Sequence, residues 1–141
     1  MRDFMLRWIC RRGFVVSGVL SVFILTALLM PLPDRAHVGG SFDKVVHFVL
    51  FFVLVLPALS VRPRIWVWLV PLATLFGVAI EFVQPVFGRG KEYADMLANG
   101  MGALAAVPVG YLIHRIWADS RRRRESKARQ LREREGAQQQ N

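Results

Sequence analysis

Cysteine is almost absent: a single residue, Cys10, serves the whole 141-residue chain. That excludes a disulfide scaffold. Acidic residues are scarce too, 10 Asp+Glu against 19 Lys+Arg, for a formal net charge of +9. Histidine occurs three times. No G-x-S-x-G, H-E-x-x-H or other established catalytic sequence is present. No internal repeat is visible. Charge is missing above all from four long blocks. The chain is 54% hydrophobic, with a mean hydropathy of +0.35. A soluble globule does not combine that value with so much charge, unless the two are segregated along the chain, and here they are.

The blocks cover 13–32, 45–61, 65–83 and 96–113. A helix needs roughly 20 mostly apolar residues to cross a bilayer, within a range of about 17–25. Each block is within or near that range, and no amphipathic segment remains to build a shell around a soluble core. The pattern predicts an all-α, polytopic membrane protein with four transmembrane helices. Residues 1–117 form the membrane domain and 118–141 a basic tail. The first block follows Arg7, Arg11 and Arg12, as a signal peptide would. Its apolar run is longer than a signal core and no A-x-A-like site follows, so a retained anchor is expected.

Basic residues set the orientation. Fifteen of the 19 fall on the side that holds both termini and the link at Arg62 and Arg64. Arg35, Lys44, Arg89 and Lys91 fall on the other. This bias predicts both termini in the cytoplasm. Trp8, Trp66, Trp68 and Trp117 all lie at the cytoplasmic span ends, where an interfacial belt belongs. The tail, with Arg121–Arg124, Lys127, Arg129, Arg132 and Arg134, lacks apolar clusters. It is expected to be helical as far as Glu135, to be partly disordered beyond, and to rest on anionic inner-leaflet lipids rather than on nucleic acid.

Ionisable groups inside a membrane are expensive and face the bundle interior or a wet cavity. Here they gather at one depth, near the outer leaflet. Asp43, Lys44 and His47 lie in the first outer turn of span two, Glu81 and Gln84 in the last of span three, and Asp95 and Asn99 in the first two of span four. The 85–94 loop adds Arg89, Lys91, Glu92 and Tyr93 above them. At about 100° per residue, Asp43 and His47 differ by about 40° and Lys44 and His47 by about 60°, and Phe51 continues their stripe. Thr74, Gly77, Glu81 and Gln84 share one face of span three. Ala98, Asn99, Gly102, Ala106 and Gly110 lie within about 60° of Asp95 on span four. Small residues on a shared face let helices approach closely in lipid, so Gly77, Ala98, Gly102, Ala106 and Gly110 are expected packing positions. Span one has only Ser17, Ser21 and Thr26 as polar groups and reads as a peripheral wall.

D-K-V-V-H-F-V-L-F at 43–51, E-F-V-Q-P at 81–85, and Arg89 followed by Y-A-D-M-L-A-N-G-M-G at 93–102 resemble, in order and spacing, three motifs of the VanZ-like membrane proteins. The resemblance covers about 60 residues; the Arg-rich tail is a departure from it. The family takes its name from an accessory protein associated with low-level teicoplanin resistance. The resemblance therefore implies a small polytopic protein of the bacterial inner membrane and cell envelope.

Four readings of the cluster stay open. In the first it is structural: Lys44 or Arg89 pairs with Glu81 or Asp95, and the amides and His47 complete a network that fixes helix register. In the second, Asp43, Lys44, His47, Glu81, Gln84, Arg89, Asp95 and Asn99 bind an anionic lipid headgroup, such as a polyprenyl phosphate or a lipid-linked cell-wall precursor. Arg and Lys would meet the phosphate, beside lipid-facing Phe48, Phe51 and Phe52. In the third, His47, Glu81 and Asp95 are catalytic candidates, with His47 as a carboxylate-oriented base acting on a lipid-linked phosphate or amide. In the fourth, His47, Glu81 and Asp95 hold a metal or relay a proton. A single His and the nearby Lys44 count against a metal, and the apolar inner halves of the spans count against a relay. The headgroup reading leads, with the structural one close behind. No cofactor or metal is assigned, and the chain reads as a binding protein more than an enzyme. Cys10 reads as inert, His37 as solvated, and His114 as a favourable charge at a helix C-terminus. Pro31 and Pro33 read as terminators of span one. Pro57, Pro71 and Pro108 read as interruptions inside spans.

Overall fold

A computed structural model describes residues 2–29, 41–87 and 92–138. It is all-helical among these residues. Four helices follow in order: α1 (Arg2–Leu29), α2 (Ser41–Val61), α3 (Trp66–Val83) and α4 (Tyr93–Gln138). Short 3-10 turns at Pro63–Ile65 and Gln84–Phe87 flank α3. All four helices are long and apolar enough to cross a membrane, over Arg12–Leu29, Phe42–Val61, Pro63–Phe87 and Tyr93–Gln130.

The radial distribution of polarity points the same way. Val15, Val19, Val22 and Phe23 on α1, Leu72 and Leu75 on α3, and Leu97, Met101 and Leu104 on α4 are exposed. His47, Glu81, Gln84, Asp95 and Asn99 are buried. A water-soluble protein is arranged the other way round. An apolar exterior on this scale belongs in hydrocarbon.

Side-chain neighbours fix how the helices run. His47 meets Asn99, and Ser60 meets His114, so α2 and α4 run parallel. They approach closely. A Cβ built on Gly102 would collide with the Phe48 carbonyl oxygen, and one on Gly110 would lie 2.6 Å from Leu59 Cβ. Between them in sequence, α3 returns antiparallel. Gly77 of α3 faces Asn99, and Thr74 faces Gly100. Helix α1 is antiparallel to α2, with Gly13 packed on the Pro57 carbonyl and Val61. Its last turn is met by Gln84, whose Nε2 donates to the Leu28 carbonyl at 3.2 Å.

Ile24, Leu28, Phe51, Leu54, Val55, Leu59, Ala73, Ile80, Ala103 and Ala106 form the apolar core. Phe51 is fully buried, with its ring 6.2 Å from that of Phe76. This corrects the expectation of a lipid-facing Phe51: it lies one helical turn beyond His47, on the inward face that His47 itself marks. Phe48 and Phe52 are half-buried and stack on each other at 6.5 Å.

The hydroxyls of Ser21, Thr26, Ser60 and Thr74 donate to carbonyls four residues back in their own helices. They therefore serve the local backbone rather than tying helices together. Pro57, Pro71 and Pro108 all lie inside helices that continue past them.

Helix α4 does not stop at residue 113. It runs 46 residues, about 69 Å at 1.5 Å per residue, against roughly 30 Å of hydrocarbon. The tail expected to fray after Glu135 is helical to Gln138. Residues Trp117 to Gln130, Ala118 excepted, are exposed. Good helix formers (Ala, Arg, Lys, Gln, Glu) carry the helix onward without burial. His114 is consequently not at a helix C-terminus, which corrects that reading. Its Nδ1 lies 3.2 Å from the Ser60 carbonyl, which can only accept, so Nδ1–H is the donor. Cys10 and Trp8 lie in α1, with side chains outside the described residues. Pro31, Pro33, Arg35, His37, Arg89 and Lys91 also lie outside them.

Candidate functional site

The polar residues converge where α2 and α4 begin and α3 ends. Local sequence explains why each stands there. Asp43 and Asp95 occupy the first turns of α2 and α4, where the helix dipole favours negative charge. Glu81, in the last turn of α3, reaches across to the start of α4. Its Oε1 accepts the Glu92 backbone N–H at 2.5 Å. A carboxylate from one helix thus caps the N-terminus of the next.

His47 and Asn99 are both fully buried and join α2 to α4, with Nδ1 3.0 Å from Oδ1. The amide oxygen accepts, so Nδ1–H is the donor, and in the neutral imidazole Nε2 is the acceptor. Gly77 makes room for this pair: a Cβ there would lie 2.6 Å from Asn99 Nδ2.

Lys44 is bound to acidic partners. Its Nζ lies 2.8 Å from Glu92 Oε2 and 3.9 Å from Asp95 Oδ1. The Lys44 ammonium holds the Glu92 carboxyl below its ordinary range. The short partner is Glu92, a residue that sequence reasoning placed in the overlying loop without assigning it the pair. The available signal was its position, one residue ahead of an N-terminal helical turn.

Asp43, His47, Glu81, Asp95 and Asn99 are therefore gathered at one end of the bundle. Gln84 shares that end but spends its Nε2 on α1. Arg89 cannot be placed, since it is outside the described residues. Ala98, Gly102, Ala106 and Gly110 are buried along α4, and Gly77 along α3.

The gathering leaves polar atoms unmet. His47 Nε2, Glu81 Oε2, Asp95 Oδ1 and Asn99 Nδ2 are buried with no hydrogen-bond partner. A buried polar atom left unpaired costs about 1–3 kcal/mol. Three of the four are acceptors. A ring nitrogen of His47 and one carboxylate oxygen from each of Asp43 and Asp95 all lie within 4.8 Å of one another. Chemically, such a site can take a hydrogen-bond donor, a cation or a proton.

Comparison with known proteins finds no family model that matches the chain, and no curated protein or solved structure that matches it.

Proposed function

We propose that this chain is a VanZ-like multi-pass protein of the bacterial inner membrane, with both termini in the cytoplasm. Its polar cluster lies at the outer leaflet and binds the headgroup of an anionic lipid or of a lipid-linked cell-wall precursor. The observation that carries this reading is the set of unpartnered buried atoms on His47, Glu81, Asp95 and Asn99. A network built only to hold helices would pair them. Three acceptors and one amide donor suit the hydroxyl and amide groups of a sugar or peptide headgroup. Lys44, already engaged by Glu92, shares the phosphate with Arg89, which follows α3 in the sequence. The basic stretch of α4 beyond the bilayer rests on anionic lipids of the inner leaflet.

A second reading, a cluster that only fixes helix register, draws on the His47–Asn99 bond between α2 and α4.

Native mass spectrometry of the detergent-extracted chain separates the two. Wild type is expected to carry a selective phospholipid or polyprenyl-phosphate adduct. His47→Gln and Arg89→Ala, shown to be folded by circular dichroism, are expected to lose it. Wild type without any selective adduct, or variants that retain it, would overturn the headgroup reading.

A further inference from the structure

The Asp43, His47 and Asp95 group has a chemistry of its own. We propose that these three side chains bind a divalent transition-series cation, zinc or manganese, at the end of the bundle. This does not rest on the headgroup reading.

The donor set is one imidazole nitrogen and two carboxylate oxygens, from α2 and α4, all within 4.8 Å of one another. Imidazole suits zinc, and carboxylate suits manganese and zinc alike. Around a tetrahedral ion with ligands at about 2.1 Å, donor atoms stand about 3.4 Å apart. The observed separations, up to 4.8 Å, exceed that spacing by no more than about 1.4 Å, so the three side chains must close in on a bound ion.

A second observation is independent of the acidic residues. His47 is fully buried, and its Nε2 has no hydrogen-bond partner. Its Nδ1 is fixed on Asn99 Oδ1 at 3.0 Å. A histidine ligand characteristically donates its other ring N–H to an oxygen acceptor, which sets the tautomer and the ring orientation. Here that partner is already in place, and the lone pair is on the other nitrogen. Asp95 Oδ1 is likewise buried without a hydrogen bond.

Among the described residues, Lys44 is the group that opposes a cation. Its Nζ is 3.9 Å from Asp95 Oδ1 but 2.8 Å from Glu92 Oε2, and a third of its side chain is exposed. An incoming ion displaces it from Asp95 and leaves it on Glu92. Among the described residues, Asp43, Glu81, Glu92 and Asp95 stand at this end of the bundle with Lys44. A bound ion would add positive charge there, and would also present a phosphate with a coordination site.

The test uses the untagged full chain in detergent, washed with EDTA and dialysed against Zn2+ or Mn2+. Elemental analysis is expected to find a single equivalent per chain. Asp43→Ala and His47→Gln are expected to weaken binding by at least about 100-fold, since loss of an outer-shell partner alone costs about 10–100-fold. Glu125→Gln, on the exposed stretch of α4, is expected to bind as wild type does. Should the His47 variant fail to fold, the wild-type Mn2+ sample decides. Its pulsed electron paramagnetic resonance spectrum is expected to show a directly coordinated imidazole nitrogen, retained in His37→Ala and His114→Ala. No stoichiometric binding by wild type, undiminished binding by Asp43→Ala, or bound manganese without an imidazole signal would each overturn the site.

Discussion

Gly102→Ala is expected to be the most damaging glycine-to-alanine change among the described residues. The added Cβ would collide with the Phe48 carbonyl oxygen. That atom is backbone, inside helix α2, so no side-chain rotation relieves the contact. Either α2 and α4 move apart or the bond that carbonyl accepts is distorted. In lipid there is little hydrophobic drive to hold helices together, and close packing supplies most of the association energy. Overpacking a well-filled site costs typically 1–3 kcal/mol. With a rigid neighbour the loss is expected at about 3 kcal/mol or more. Gly18→Ala is the matched control, because nothing lies within 4 Å of its Cβ position. It removes a helical glycine and is expected to raise stability slightly, by under about 1 kcal/mol. Equilibrium unfolding in mixed detergent micelles measures both. Equal stability of the two variants would contradict the parallel contact between α2 and α4.

Phe51→Ala is expected to lose about 2–3 kcal/mol in the same assay. The usual penalty for such a truncation contains a transfer component and a cavity component. Here the unfolded reference is a helix in lipid, as apolar as the core, so the transfer component nearly vanishes. The cavity remains, because Phe51 is fully buried beside Phe76. Phe23→Ala deletes the same atoms from α1, where the ring is 62% exposed. It is expected to change stability by less than about 0.5 kcal/mol. A Phe23 variant as damaged as the Phe51 variant would mean that α1 is buried against something else.

Much of the fold was legible because hydrocarbon imposes a plain requirement. Each span must be apolar for about 20 residues, and the four blocks correspond to four helices long and apolar enough to cross. Helix phase was legible for the same reason: a polar residue such as His47 or Asn99 marks the inward face. The phase of Phe51 was available too, one turn after His47. Composition pulled the reading towards lipid, because a phenylalanine is at home on either side of a helix in a membrane. The length of α4 was not legible. Hydropathy ends near residue 113, whereas helix propensity continues through a charged segment that needs no burial. Gly13 gave no signal, since an isolated small residue in an apolar run has no period. Glu92 lies outside every span, and its two roles, bonding Lys44 and presenting its N–H to Glu81, depend on how α3 and α4 meet. The unmet atoms were not legible at all. The sequence names polar residues at one depth but does not reveal which of their lone pairs stay free.

Asp95→Asn tests most directly whether the cluster awaits a ligand or merely braces the helices. The substitution keeps shape and removes one buried charge whose Oδ1 has no hydrogen bond, while Lys44 retains Glu92. The measurement is unfolding stability of delipidated, EDTA-washed protein against wild type. If the carboxylate is there for a ligand, the variant is as stable as wild type or more so, as expected when a buried carboxylate compensated only by a 3.9 Å ion pair to Lys44 is replaced. A loss of about 3–5 kcal/mol, the ordinary cost of breaking a buried ion pair, would show instead that Asp95 is structural and that the cluster is complete as it stands.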